Sequence, residues 1–368
     1  MINFLSLTEY PTRKAYGVTL SGTCTAACEA GFQTRIISPN YSPVTRFGSS
    51  RVLKCMRYLR KLYGGVPAVI SKVAFAAHRT LFYQFIRHEF DFDKTDIFWV
   101  RDAKFAKFLS KEYPECRIVL EIHQIQSRTE LSKLCSLPNN VILGPISEAI
   151  INQLVDLRST KTIVQLPMGV SNYFFSTNFA DQGEPEYDIG YFGSFRSSGH
   201  DQGIENVLTQ LIPRLKTDTT FKLMFVGLGA EGVSVLRKIA SDADVENQIC
   251  LVEYSDHDKM PSEMIRCKSL LLPYPEGEYF ESRFPIKALE YGAIQRPILC
   301  SRTKSHQFIF SDENVWFYDY GDPEGILKAY NQVHVDPRVT LQKIQCTFNL
   351  AQNHTYTERI NRIKAYIL

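Results

Sequence analysis

Short β-rich runs alternate with helical stretches along this chain, pause at one polar segment and then alternate again, a pattern that argues for parallel sheets wrapped by helices. In the first half, Ile2 to Leu7, Thr34 to Ser38, Asp96 to Val100, Arg117 to Ile122, Asn140 to Leu143 and Thr162 to Leu166 read as strands. Val18 to Gly31 reads as a helix with a glycine stop, and Ser147 to Leu157 as a helix capped by Ser147. The segment Phe175 to Tyr187 is polar, contains Gly183 and Pro185 and lacks apolar periodicity, so a linker is expected there. The alternation then restarts, with strands at Asp188 to Phe192, Phe221 to Val226, Gln248 to Val252, Lys268 to Leu272 and Ile298 to Cys300, and helices at Gly203 to Leu215 and Glu231 to Ser241.

At 368 residues the chain exceeds one ordinary core. The expected architecture is α/β, with a Rossmann-like domain over 1–172, a linker over 173–187 and a second Rossmann-like domain over 188–354. A final helix over 355–368 is expected to pack back on the first domain. Two such open sheets in tandem, facing across a cleft, place a ligand between the carboxyl ends of their strands.

No apolar run approaches the roughly 20 residues that cross a bilayer. Residues 1–6 lead into a strand without a cleavable signal pattern, so a cytoplasmic location is expected. The nine cysteines are odd in number and scattered, which fits reduced thiols, and no Cys/His constellation has zinc-site spacing; no metal is expected. Net charge is only +3, yet from Arg46 through His88 there is no Asp or Glu, while Arg51, Lys54, Arg57, Arg60 and Lys61 interleave with Val52, Leu53, Met56, Leu59 and Leu62. That spacing reads as an amphipathic helix with a cationic side. It suits an anionic membrane face or an acidic acceptor, and equally a solvated surface with no partner. Nothing else resembles a nucleic-acid module, so nucleic acid is not an expected partner.

The chemistry concentrates in Arg283-Phe284-Pro285-Ile286-Lys287-Ala288-Leu289-Glu290-Tyr291-Gly292-Ala293, which follows the apolar run Leu270-Leu271-Leu272-Pro273 and a short acidic loop. A strand ends, a loop turns, and a helix opens with Pro285 at its first position, where a missing N–H costs nothing. Free amides and the positive end of the helix dipole would face the loop, with Arg283 and Lys287 adding charge. Lys287 and Glu290 stand three apart and so share a face. A cation for a diphosphate and a carboxylate for a ribose diol, one turn apart, describe a nucleotide-diphosphate site. An ordinary amphipathic helix after a buried strand is the plainer alternative.

This segment resembles the donor-site signature of retaining GT-B glycosyltransferases of the group 1, family 4 kind, roughly Ser-Pro-x-Lys-x-x-Glu-Tyr-x-Ala. Pro285, Lys287, Glu290, Tyr291 and Ala293 match, and Phe284 replaces the usual Ser. Further likenesses follow in the family's order along nearly the whole chain. Tyr16-Gly17-Val18 falls where the family has a Gly-rich loop near the donor phosphates, without the usual Gly doublet. Val119-Leu120-Glu121-Ile122-His123 is similar to a strand ending in Glu-x-His, and Pro167-Met168-Gly169-Val170 to the Asn-Gly-Val-Asp before the second domain. Ile189-Gly190-Tyr191-Phe192-Gly193-Ser194 and Phe225-Val226-Gly227-Leu228-Gly229 correspond to the strand-turns of the donor domain.

The resemblance implies roles residue by residue. Lys287 would contact the diphosphate, Glu290 the ribose hydroxyls, and His123 the transferred sugar. Gly193 would let the backbone approach a phosphate, Ser194 would donate a hydroxyl to it, and the turn ending at Tyr254 would read the base. Ser282, Arg283, Phe284, Pro285 and Ile286 line the donor loop on this reading. Arg101 and Asp102 fit the acceptor side, and fit a surface ion pair equally well.

Two departures stand out. Where the family places Lys-Gly after the glycine turn this chain has Gln202-Gly203, so one positive charge is missing, and Arg196 or Arg283 is the candidate replacement because a guanidinium binds phosphate bidentately. Counting back from Glu290 for the family's Glu-x7-Glu pair reaches Ser282, with Glu281 one position earlier.

The implied activity is transfer of a sugar from a nucleotide diphosphate sugar to a glycan or lipid-linked acceptor, with retention at the anomeric carbon and without a metal or other cofactor. His123, Arg196 and Lys287 are the catalytic candidates, and peripheral association with an inner membrane face is an expectation from 46–88. A catalytically weak glycosyltransferase-like subunit and a GT-B sugar-nucleotide epimerase are the alternatives. A nicotinamide-dependent dehydrogenase is disfavoured, because neither Gly17 nor Gly193 begins a Gly-x-Gly-x-x-Gly turn.

Overall fold

The structure, a computed structural model, describes residues 1–8, 10, 15–39, 68–124, 127–154, 160–176, 184–197, 199–277, 280 and 286–368. The chain divides into two compact units, Met1–Met168 with Tyr356–Leu368, and Gly169–Thr355.

The first unit runs β1 (Ile2–Leu5), α1 (Ala15–Glu29), β2 (Thr34–Ile37), α2 (Ala68–Glu89), β3 (Ile97–Val100), α3 (Ala103–Glu112), β4 (Arg117–Ile122), α4 (Arg128–Cys135), β5 (Val141–Pro145) and α5 (Glu148–Gln153). Its five strands pair in the order β2-β1-β3-β4-β5, all parallel. β1, β3 and β5 are buried along their whole length, as strands covered on both faces must be, and apart from Asn3 they read as apolar runs. Ser and Asp caps start the helices: Asp102 accepts from Phe105 N, Ser127 from Glu130 N and Ser147 from Ile150 N.

The second unit continues with β6 (Tyr187–Phe192), the hairpin β7 (Arg196–Ser197) and β8 (His200–Asp201), α6 (Ile204–Thr217), β9 (Leu223–Val226), α7 (Gly229–Asp242), β10 (Ile249–Val252), α8 (Met260–Met264) and β11 (Cys267–Leu272). It closes with α9 (Ile286–Ala293), β12 (Ile298–Ser301), α10 (Lys304–Gln307), β13 (Trp316–Tyr318), α11 (Gly325–Val333) and α12 (Pro337–Gln352). The sheet order is β10-β9-β6-β11-β12-β13, again all parallel. Both orders are doubly wound, so each unit is Rossmann-like.

Several expectations shift. Gly17 lies inside the first turns of α1 and not in a loop ahead of it. Residues 162–166 make a single bridge, Leu143 to Ile163, instead of a sixth strand. The boundary falls earlier than expected: residues 169–172, expected in the first domain, and the head of the expected linker belong to the second unit, where Val170 and Phe174 are buried beside Met264 and Leu289. The amphipathic helix expected over Arg51 to Tyr63 lies outside the described residues.

The last helix, α13 (Tyr356–Ile367), returns to the first unit. Its Tyr356, Ile360, Ile363 and Ile367 join Phe4, Trp99 and Val119 in one apolar core. Gly22 of α1 makes room for it, since a Cβ there would lie 2.2 Å from the Tyr356 ring. No described helix is long and apolar enough to cross a membrane.

Candidate donor-side site

In the second sheet the strand order reverses between β6 and β11, the place where open α/β sheets hold their ligands. Gly193 follows β6, Pro273 and Tyr274 follow β11, and α9 brings Lys287 to the same point. The Lys287 Nζ donates to the Tyr191 hydroxyl at 2.8 Å, and that hydroxyl donates to the Ser194 carbonyl at 2.8 Å. The ammonium also lies 4.5 Å from the Tyr191 ring centre and 5.5 Å from that of Tyr274, within cation–π range. Burial pushes its pKa down to about 7, against the pull of Glu290. Among the described residues it makes no other hydrogen bond.

Gly193 has a concrete steric reason. A Cβ at this position would stand 2.1 Å from Nζ of Lys287, so any side chain would evict the ammonium. Gly203 is equally constrained, with φ at 83° and a virtual Cβ 2.4 Å from the Pro273 carbonyl. Its neighbour Gln202, 3% exposed, is thereby held close to the end of β11, with its N–H bonded to the Phe195 carbonyl at 3.3 Å. Behind Tyr274 stands His306, stacked on that ring at 4.9 Å. Its Nδ1–H donates to the Ser301 carbonyl at 2.8 Å, Nε2 is buried without a hydrogen bond among the described residues, and burial lowers its pKa to about 4, so the ring is neutral.

Glu290 turns to the other side of the same crevice. It is 8% exposed, and its Oε1 accepts from His257 Nε2 at 2.7 Å, while His257 Nδ1 is hydrogen-bonded to the Tyr173 hydroxyl. Burial alone would lower the His257 pKa, but the Glu290 carboxylate outweighs it and the net shift is upward. Oε2 of Glu290 has no hydrogen bond among the described residues.

The remaining sequence candidates are placed as follows. Tyr254 is 41% exposed and donates its hydroxyl to Asp256 at 2.9 Å. Ser194 is exposed beside Gly193. Arg196, on the exposed hairpin, is paired with Glu231 of α7 at 2.9 Å, with side chains 44% and 62% exposed; it serves there as a surface ion pair and not as a buried cation beside Lys287. Ile286 is the first residue of α9, whereas Ser282, Arg283, Phe284 and Pro285 lie outside the described residues. Tyr274, His257, His306 and Tyr173 went unnoticed in the sequence, and Tyr191 was given no role of its own; as single residues in a strand, short helical turns or loops they carry no spacing that would mark them.

In the first unit, Glu121 at the end of β4 is 2% exposed and gathers four donors. Trp99 Nε1 reaches Oε2 at 2.9 Å and Arg101 reaches Oε1 at 2.7 Å, while His123 and the fully buried Arg359 pair with the same carboxylate. Burial alone would raise the Glu121 carboxyl, but Arg101, Arg359 and His123 hold it well below the usual range. Burial moves His123 the other way, below its ordinary value, with the two guanidiniums acting in the same sense. Arg101 is thus committed inward, and Asp102 caps α3 while lying 3.7 Å from Arg79, so neither is a bare acceptor-side group. Among the described residues no group of three His, Cys, Asp or Glu could hold a metal ion.

Residues 186–336 match the family described as Glycosyl transferases group 1. A comparison with curated proteins found no match. Among solved structures, sucrose-phosphate synthase from Thermosynechococcus elongatus is 14% identical with a TM-score of 0.65, covering 99% of this chain and 97% of that one. The E. coli trehalose-6-phosphate protein bound with UDP-2-fluoro glucose is 12% identical at a TM-score of 0.67, covering 100% and 98%. Anabaena HepE in complex with UDP and glucose is 13% identical at 0.64, covering 100% and 98%. The family match thus falls within the second unit, over most of its length. The chain as a whole has the GT-B fold, two Rossmann-like domains in tandem.

Proposed function

We propose that this chain transfers a glycosyl group from a nucleotide diphosphate sugar to a glycan or lipid-linked acceptor, with retention of anomeric configuration and without a metal ion. The observation that carries the reading is Lys287, a half-buried side chain at the sheet's switch point whose amine makes a single hydrogen bond among the described residues. A diphosphate beside it would restore the charge that burial suppresses and receive donors in a site of low dielectric, where they are most effective as the glycosidic bond loosens. Glu290, one turn on, supplies a carboxylate oxygen for the ribose diol. The nucleotide-bound neighbours, HepE with UDP and the E. coli protein with UDP-2-fluoro glucose, support a nucleotide donor. His123, partly exposed past β4, is the first unit's group for the transferred sugar. The acceptor is held by the first unit on this reading, and the basic stretch from Arg46 to Arg87 favours an acceptor at an anionic surface.

Incubation with UDP-, GDP- and ADP-sugars in the presence of EDTA should release nucleotide diphosphate from one of them. In that assay Glu290→Ala should weaken donor binding at least roughly tenfold, the effect of removing a hydrogen bond to a charged group, while the melting curve stays cooperative. Turnover unchanged in Glu290→Ala would contradict the ribose assignment. For the surface hypothesis the check is flotation with liposomes, where recovery should require anionic lipid; equal recovery with neutral lipid rejects electrostatic docking.

A further inference from the structure

The polar chain Tyr173, His257, Glu290 spans three separate segments of the second unit. Phe174 and the neighbouring apolar residues already fill that part of the core, and the rings of Tyr173 and Phe174 lie 5.8 and 5.3 Å from the imidazole. A buried carboxylate of the core would ordinarily have both oxygens satisfied. Glu290 has Oε1 fixed by His257 and Oε2 without a hydrogen bond among the described residues, as a carboxylate must be if it is to receive a ligand hydroxyl.

We propose that His257, held by Tyr173, is a positioning residue that fixes one oxygen of Glu290 so that the other is presented to the vicinal diol of a ribonucleotide. The inference rests on the nucleotide reading above and deepens it, because it makes the donor site selective for ribose over 2′-deoxyribose. Both imidazole nitrogens are engaged, so the ring cannot turn, and the Tyr173 hydroxyl can accept from a protonated ring or donate to a neutral one without a change of geometry. Glu290 is the charge that faces the ring from α9, Tyr173 faces it from the segment ahead of β6, and Asp258 is its neighbour in the loop after β10. The shift of His257 is upward, so its positive charge is retained at low pH and lost as pH rises through the raised value.

The test titrates UDP-glucose, GDP-mannose and ADP-glucose by calorimetry, with the 2′-deoxyribose form of the one that binds, against wild type, His257→Ala, His257→Gln and Tyr173→Phe. Wild type should prefer the ribose form. His257→Ala should lose roughly 10- to 100-fold for it and little for the deoxy form, erasing the preference. His257→Gln, whose amide can still donate to Glu290, should recover part of the preference, and Tyr173→Phe should show a smaller loss than His257→Ala. Equal losses for both sugars, or unchanged affinity in His257→Ala, would overturn the positioning role while leaving the nucleotide reading in place. No binding of any of the three by wild type would overturn both.

Discussion

Replacing Lys287 by Met should lower turnover about 10²- to 10³-fold, the scale of removing one donor aimed at developing charge, while leaving the fold at least as stable as the wild type near pH 7. The two effects part because the lysine is a poor structural residue. Its ammonium is desolvated between Tyr191 and Tyr274, and the pKa of about 7 records how much that burial disfavours the charge. Methionine has a similar length and no charge to desolvate, so it can fill the same slot against the two rings.

The pH dependence follows from the sign of the shift. In the unfolded chain a lysine holds its proton up to about pH 10.4, whereas folded Lys287 releases it near 7. Between those values the unfolded state binds more protons, so this group adds stability as pH rises and removes it as pH falls towards 7. Buried thiols such as Cys267 and Cys300, with pKa values raised by burial, act in the opposite sense, so the contribution of Lys287 is read as the difference between wild type and Lys287→Met. A diphosphate would reverse the shift. At pH 8, above the folded value, donor binding should therefore take up a proton, measurable by calorimetry in buffers of different ionisation enthalpy and absent in the Met variant. Full turnover in Lys287→Met, or binding without proton uptake, would remove this lysine from the mechanism.

How far the sequence carried the reading depends on how local each signal was. Parallel strands buried on both faces announce themselves, and β4 falls over the expected Arg117 to Ile122, with β6, β9, β10 and β11 beginning or ending within two residues of expectation. Elements with a thin apolar stripe escaped notice. α12 buries only Thr347 and Ala351, and β13 is a three-residue edge strand. The spacing of Lys287 and Glu290 correctly put them on one helix, but their partners are set by the fold. Tyr191 is 96 residues from Lys287 and His257 is 33 from Glu290, and no local periodicity connects such pairs. Arg196 illustrates the converse: its position in the chain fits a phosphate ligand, and its side chain is engaged by Glu231 instead.

Glu121→Gln should destabilise the first unit by about 3–5 kcal/mol, the usual cost of breaking a buried ion pair by removing one partner. The amide can still accept from Trp99, but Arg359, fully buried on α13, is left without its counter-charge, and Arg101 loses its partner too. Arg359 further donates to the Pro167 carbonyl at 3.3 Å, so the same guanidinium fastens the last helix to the end of the first unit. Adding Arg359→Met should recover part of the loss, because two neutral partners avoid the uncompensated charge. A chain of two units need not unfold in one step, so the measurement needs a local probe. The two tryptophans, Trp99 and Trp316, fall one in each unit, and in a Trp316→Phe background urea unfolding followed by fluorescence reports the first unit alone. The folded pKa of Glu121 is depressed, so its contribution is complete above the unfolded value of about 4.3 and is lost as pH falls towards the folded one. The gap between wild type and Glu121→Gln should therefore be full at pH 7 and close progressively below about pH 4. A gap that is small at pH 7, or that persists unchanged in acid, would mean that the apolar packing of α13 and not this carboxylate holds the first unit together.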